Sequence, residues 1–214
     1  MKMRFKVLLP LLLLLALPAT VQAQGTVYLS NLAAASAGGL GVGLGEQLAQ
    51  PFETGSAPLG YNLTSIQVGM LATNGPGIPT GFGISLCADN GGVPGSNLGS
   101  LSGSDNPGIG GIYTYAASDI TLTPSTAYWV VASASQSGGF FWWSIASSTE
   151  YTFTDGWSTR TESPYGLILI QGDPPTGIGL GPLQFAVEAT PVPEPGVCSL
   201  SALGLAVILL WRRR

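Results

Sequence analysis

Along most of the chain, apolar residues recur at every second position in short runs, and clusters of Gly, Pro, Asn, Asp and Ser separate the runs. That is the period of a half-buried β-strand; no window between residues 24 and 191 carries a convincing helical period. The pattern predicts strands over Thr26–Leu32, Leu63–Leu71, Gly81–Ala88, Ile112–Ala116, Ile120–Thr123, Ala127–Ser133, Phe140–Ile145, Glu150–Thr154, Leu167–Gln171 and Leu183–Ala189. In the second of these, Ile66, Val68 and Met70 share one face. About ten short strands at this spacing predict an all-β fold, a single antiparallel β-sandwich of jelly-roll-like form. Turn residues support it: residues 74–77, 89–92 and 174–177 carry Gly, Pro and Asn where preset or positive φ is needed. The run Gly38–Gly45 reads GGLGVGLG. Lacking GK[ST] and a strand–helix context, it reads as a glycine-rich loop and not as a phosphate cradle.

The two ends break the alternation. Lys2, Arg4 and Lys6 precede the uninterrupted apolar run Val7–Leu17, and Val21, Gln22 and Ala23 form a small-x-small cleavage site. This order is that of a Sec signal peptide over residues 1–23, cut between Ala23 and Gln24. At the other end, residues 192–214 carry Pro193-Glu194-Pro195, the uncharged span Gly196–Trp211, and Arg212, Arg213 and Arg214. As a helix the span covers about 24 Å, slightly short for a bilayer core of roughly 30 Å but within reach of local thinning and snorkelling. Trp211 sits where an interfacial aromatic belongs, and the arginines resist translocation. One transmembrane helix over 196–211 is therefore expected, with the β-domain, residues 24–191, outside.

Composition then narrows the chemistry. The chain has no His, which excludes His-based catalysis and His metal sites. Between Gln24 and Pro193 stand ten acidic residues and one base, Arg160, a net charge of −9. The whole-chain value of −4 hides this, because the other six cations lie in the terminal segments. Such a body will not hold nucleic acid through phosphates. It is also repelled by anionic membrane surfaces. Cys87 is the body's one cysteine, so no internal disulfide is available there. The alternation of Phe82, Ile84 and Leu86 turns Cys87 to the opposite face, as a small strand side chain without chemical duty. Cys198, in the apolar span, is given no role.

Four groups invite a functional reading. Phe140, Phe141, Trp142 and Trp143 form the densest aromatic run, with Phe140 and Trp142 on one face of a strand and Phe141 and Trp143 on the other. One pair enters the core; faces left exposed at Trp142, Trp143 or Trp157 would suit stacking on sugar rings. Glu150, Asp155 and Glu162 supply carboxylates for glycoside hydrolysis if two lie roughly 5 to 9 Å apart, though solvated surface charge explains them more simply. Asp89-Asn90 and Asp105-Asn106 offer hard oxygen ligands but match no calcium-loop spacing, and turn formation accounts for them. Asn62-Leu63-Thr64 is a glycosylation sequon whose use depends on the host. Thr residues do not recur at the fixed spacing an ice-binding face requires. No catalytic residue, metal or cofactor is assigned.

The order Pro193-Glu194-Pro195, apolar span and arginine cluster resembles the PEP-CTERM sorting signal of exopolysaccharide-producing Gram-negative bacteria. The resemblance implies passage through the Sec translocon and recognition by an exosortase, a membrane-embedded cysteine protease that cuts near the Pro-Glu-Pro. It implies transient residence in the inner membrane, then the cell surface or extracellular matrix. The body resembles the choice-of-anchor R domains of bacterial surface proteins. The matching stretches are Asn31-Leu32, Ala49–Phe52, Asn62–Gln67, Asp89–Gly95, Ile120–Pro124, Thr126–Ala132 and Leu183–Ala189. These are turns and core strands, and the likeness implies a β-rich body with no known activity. The expectation is a non-enzymatic structural or adhesive protein of the exopolysaccharide or biofilm layer, with extracellular polysaccharide as a partner. The alternative is a glycan-binding module or a carbohydrate-active enzyme using paired carboxylates.

Overall fold

The computed structural model describes residues 25–73, 80–136, 139–159, 166–177 and 181–193. The expected signal peptide, the span 196–211, the turn at 74–77 and Glu162 lie outside the described residues. The described residues form no helix, and none is therefore long and apolar enough to cross a membrane. Fourteen strands follow one another: β1 (Thr26–Ser30), β2 (Ser36–Val42), β3 (Glu46–Glu53), β4 (Tyr61–Leu71), β5 (Phe82–Asp89), β6 (Pro94–Leu101), β7 (Gly111–Ala116), β8 (Thr121–Leu122), β9 (Ala127–Ala134), β10 (Phe141–Ala146), β11 (Thr152–Phe153), β12 (Leu167–Ile170), β13 (Thr176–Gly177) and β14 (Phe185–Pro191). They make two antiparallel sheets packed together. One runs β11-β1-β14-β4-β10-β2 with β7 and β8 also paired to β4; the other runs β13-β12-β3-β9-β5-β6.

Side-chain alternation puts one face of each sheet between the two. From the first sheet come Leu29, Ile66, Val68, Phe141, Trp143, Phe185 and Val187; from the second, Leu48, Phe52, Ile84, Leu86 and Val130. At one end of this core Trp157 is sandwiched, stacked on Tyr28 with centroids 5.0 Å apart and on Phe52 at 5.7 Å. The outer face of the second sheet carries its own apolar group of Ala49, Cys87, Trp129, Val131 and Leu167. Cys87 thus points away from Phe82, Ile84 and Leu86, as its alternation predicts.

Each of the ten predicted strands is present, and four more were not predicted. Residues 38–45 are not a loop: most of the glycine-rich run belongs to β2, whose partner is β10. Strand β3 contains Pro51, yet it is an inner strand. Its neighbour β12 pairs only as far as Ala49. Pro51 shares the parity of Glu53, whose N–H and carbonyl turn to Ser158 on that same edge, so the missing donor faces a gap in the ladder. Strand β6 has no apolar alternation because it is an edge strand with little to bury.

Two buried amides meet at the start of β14, and one of them reaches across from the other sheet. Asn31, 2% exposed, donates to the Leu183 carbonyl at 2.9 Å and accepts from the Phe185 N–H at 2.7 Å. Gln50, on β3 of the opposite sheet and fully buried, accepts from the Leu183 N–H at 2.9 Å. Replacing Asn31→Ala strands a buried carbonyl and a buried N–H, each worth about 1–3 kcal/mol. Chemical denaturation of Asn31→Ala is expected to show a loss of about 2–5 kcal/mol with an unchanged denaturant slope; a loss below about 1 kcal/mol would show that this amide does not secure the start of β14 beside β1.

Candidate functional site

The aromatic run on β10 divides as alternation requires. Phe141 and Trp143 are fully buried, and the Trp143 indole N–H donates to the Gln184 carbonyl at 2.8 Å. Phe140 and Trp142 face outward, 47% and 39% exposed. Trp143 and Trp157 therefore cannot stack on a sugar: strand parity drives the first into the core, and Tyr28 and Phe52 close over the faces of the second. Of the three tryptophans considered, only Trp142 presents a face to solvent.

The glycines of β2 explain how two large rings lie on this surface. Leu40 and Val42 point inward, so Gly39, Gly41 and Gly43 line the outer face beside β10, with Gly41 directly across from Trp142. A Cβ on Gly41 would stand 2.8 Å from a Phe140 ring carbon, and one on Gly43 would stand 2.6 Å away. A Cβ on Gly39 would meet Leu71 at 2.9 Å and the Trp142 Cβ at 3.3 Å. The glycines are the floor on which the Phe140 ring rests, and any larger residue would lift it. The two exposed rings have centroids 6.3 Å apart with planes at 50°. Leu71 lies across from Trp142 on β4. Beyond Trp142 the row is covered: Ser144 is buried, and its hydroxyl donates to that of the exposed Ser36 at 2.8 Å.

The two acidic candidates among the described residues, Glu150 and Asp155, are not brought together in an enclosure. Glu150 and Asp155 are both exposed, Asp155 in a left-handed turn at φ 52°. Asp89 serves the fold: its carboxylate accepts from the Trp129 indole N–H at 2.8 Å and the Gly92 N–H at 3.1 Å. The Asp105 carbonyl accepts from the Phe82 N–H at 2.9 Å. Among the described residues no three His, Cys, Asp or Glu side chains gather as metal ligands. Two open hollows of about 470 and 550 Å³ indent the surface, the first at Gly45, Gln47 and Ile170, the second at Asp89, Thr121, Thr126 and Tyr128. Neither brings two carboxylates to one place. Asn62 of the sequon is exposed, and its side-chain oxygen accepts from the Thr121 hydroxyl at 3.2 Å.

No known family model matches the chain, and no curated protein is significantly similar to it.

The titratable groups that burial perturbs are all acids held neutral. Desolvation raises the Tyr115 and Tyr151 phenols well above their ordinary 10.0, and Cys87 above 9.0 against a smaller lowering by Ser85. Folded, these groups keep their protons; unfolded, they lose them at the ordinary values. Their contribution is complete at neutral pH and is lost as pH climbs from about 9 through the raised folded values. The Tyr151 hydroxyl, buried, has no hydrogen-bond partner among the described residues. Tyr151→Phe is expected to keep or raise stability at pH 7 by about 1 kcal/mol and to flatten the alkaline decline. Urea titrations at pH 7 and pH 10.5 check this; an equal alkaline decline in both proteins would refute it.

Proposed function

We propose that this chain is an exported, non-enzymatic cell-surface or matrix protein, sorted through residues 192–214 by an exosortase after Sec export, and structural or adhesive in the exopolysaccharide layer of a Gram-negative bacterium. The observation that carries this reading is the partition of charge. Six of the seven cations lie within the first six and last three residues, each group beside an apolar run, while the described β-body has no Lys, Arg or His. Cations at both ends fit a chain that is threaded outward and stopped. A strongly acidic body with a single base, Arg160, fits life beyond an anionic membrane surface.

The fold agrees with that use. β1 and β14 are neighbours, as in a jelly-roll-like path, and both described ends leave from the same end of the sandwich. Thr26 pairs with Ala189 and Pro191 with Tyr61, so a leader and a tail would extend the same way. The prolines at 193 and 195 would disfavour sheet and helix at the site, as a protease needs. The short span would hold that site at the outer water boundary of the inner membrane, and the arginines would set its depth.

Intact mass of protein from envelope and medium tests the sorting. In a strain with an exosortase, wild type is expected to begin at Gln24 and to lack the residues beyond the processing site. Substituting Pro193→Ala, Glu194→Ala and Pro195→Ala together is expected to leave a longer, membrane-retained form. Identical C-terminal masses for the two proteins would make the span a permanent membrane anchor and end the sorting reading.

A further inference from the structure

We propose that Phe140 and Trp142, on the glycine floor of β2, form a binding platform for a single chain of uncharged polysaccharide. The chemistry on the page selects that occupant. Sugar rings have apolar C–H faces and polar edges. The two outward rings stand beside a strip of β2 that carries no side chains, and the exposed Ser36 lies further along that strand, so an amphipathic ring meets apolar faces first and a hydroxyl beyond them. An anionic polymer, by contrast, would find no counter-charge, since the described residues contain no Lys, Arg or His. With 47% and 39% of Phe140 and Trp142 exposed, the rings offer about 200 Å². A stable protein interface needs roughly 800 Å² per partner. The 50° between the ring planes further favours a free, twisted chain over the flat face of a crystalline glycan.

The platform also has a direction. Along β4, the Tyr61 end lies beside Pro191, where the chain leaves towards residue 194, and the Leu71 end lies beside Trp142. An 11-residue strand separates them, about 30 Å at the usual rise. While an unprocessed chain was held at the membrane by its C-terminal segment, the rings would face away from it. This orientation rests on the sorting proposed above; the binding chemistry does not, so the test reads binding alone.

The exported chain, expressed from its full-length sequence and purified from the producing cells, would be run in native affinity gels. The gels contain hydroxyethyl cellulose, xyloglucan, galactomannan or dextran as neutral probes, and alginate as the anionic one. Retardation by at least one neutral polymer and not by alginate is expected. Trp142→Ala and Phe140→Ala should each weaken it about five- to tenfold. Both rings are exposed, so the melting temperature should move by no more than about 2 °C. Gly41→Ala separates platform from fold: the added methyl pushes the Phe140 ring off its floor, so binding should fall while stability holds. Trp142 is the exposed tryptophan among the described residues, so bound polymer should also protect the wild-type emission from acrylamide quenching. No retardation by any neutral polymer, retardation unchanged in all three variants, stronger binding to alginate, or preference for microcrystalline cellulose over soluble chains would each overturn the proposal. So would sedimentation showing a dimer that Trp142→Ala dissolves, which would assign the rings to a second copy of the chain.

Discussion

The short segment Leu183–Phe185 is the point on which the sandwich turns. Its backbone meets Asn31 from the loop after β1, Gln50 from the opposite sheet, Ser144 from β10, Gly69 from β4 and the indole of Trp143. Four separate parts of the chain thus close on three consecutive residues. Buried amides cost several kcal/mol if left unpaired, so only one arrangement of these parts satisfies them all. The apolar core supplies the bulk of the driving force, but apolar contact is tolerant of slippage. Amides with fixed donors and acceptors are not. In a body with no disulfide and, among its described residues, no cation to form an ion pair, directional polar bonding of this kind is what remains to fix register.

That node also sets the aromatic surface. The Gln184 N–H donates to Ser144 of β10 at 2.8 Å, and its carbonyl takes the Gly69 N–H at 3.0 Å and the Trp143 indole. β10 is thereby locked in register against β4. A slip of one residue would send Trp142 into the core and Trp143 into water, because strand side chains alternate. The exposed rings are outward because the residues beside them are pinned inward. The glycines of β2 follow from the same register: the strand opposite two outward aromatics must leave room on that face and still present Leu40 and Val42 to the core.

Much of this was legible in the sequence, and the parts that were not have physical causes. The ten alternating runs became strands because alternation is the direct print of a sheet with one buried face. The inward and outward split of Phe140 to Trp143 followed from parity alone, but which tryptophans reach solvent did not. Trp157 carries no alternating neighbours, and its burial is a matter of tertiary stacking on Tyr28 and Phe52. β2 was read as a loop because glycine has no side chain to alternate; its pattern lives in the partner strand. β3 was hidden by Pro51, whose tolerance depends on where β12 stops. β6 was hidden because an edge strand need not bury anything. Asn31 and Gln50 look like ordinary polar residues in a chain rich in them, and nothing local marks their burial. Asp89 was read rightly as a turn residue, yet its bond to the Trp129 indole crosses from one strand to another and could not be foreseen.

The excess of acids in the body, ten against the one base Arg160, links stability, solubility and recognition. A surface so charged repels copies of itself, which limits association where two aromatic rings stand exposed. The same surface repels polyanions, a repulsion that falls off over about 10 Å at 0.1 M salt and so acts on a ligand lying against it. That favours the uncharged ligand proposed above, which would bind through apolar faces and hydroxyls. Contacts of that kind are weak one at a time, on the order of 1 kcal/mol for an aromatic face. Strong retention on a long polymer would then come from many copies displayed together, where each added contact is intramolecular in effect and avidity rises without new chemistry. Copies gathered on one surface by the sorting proposed above would meet that condition; a dispersed monomer with the same rings would not.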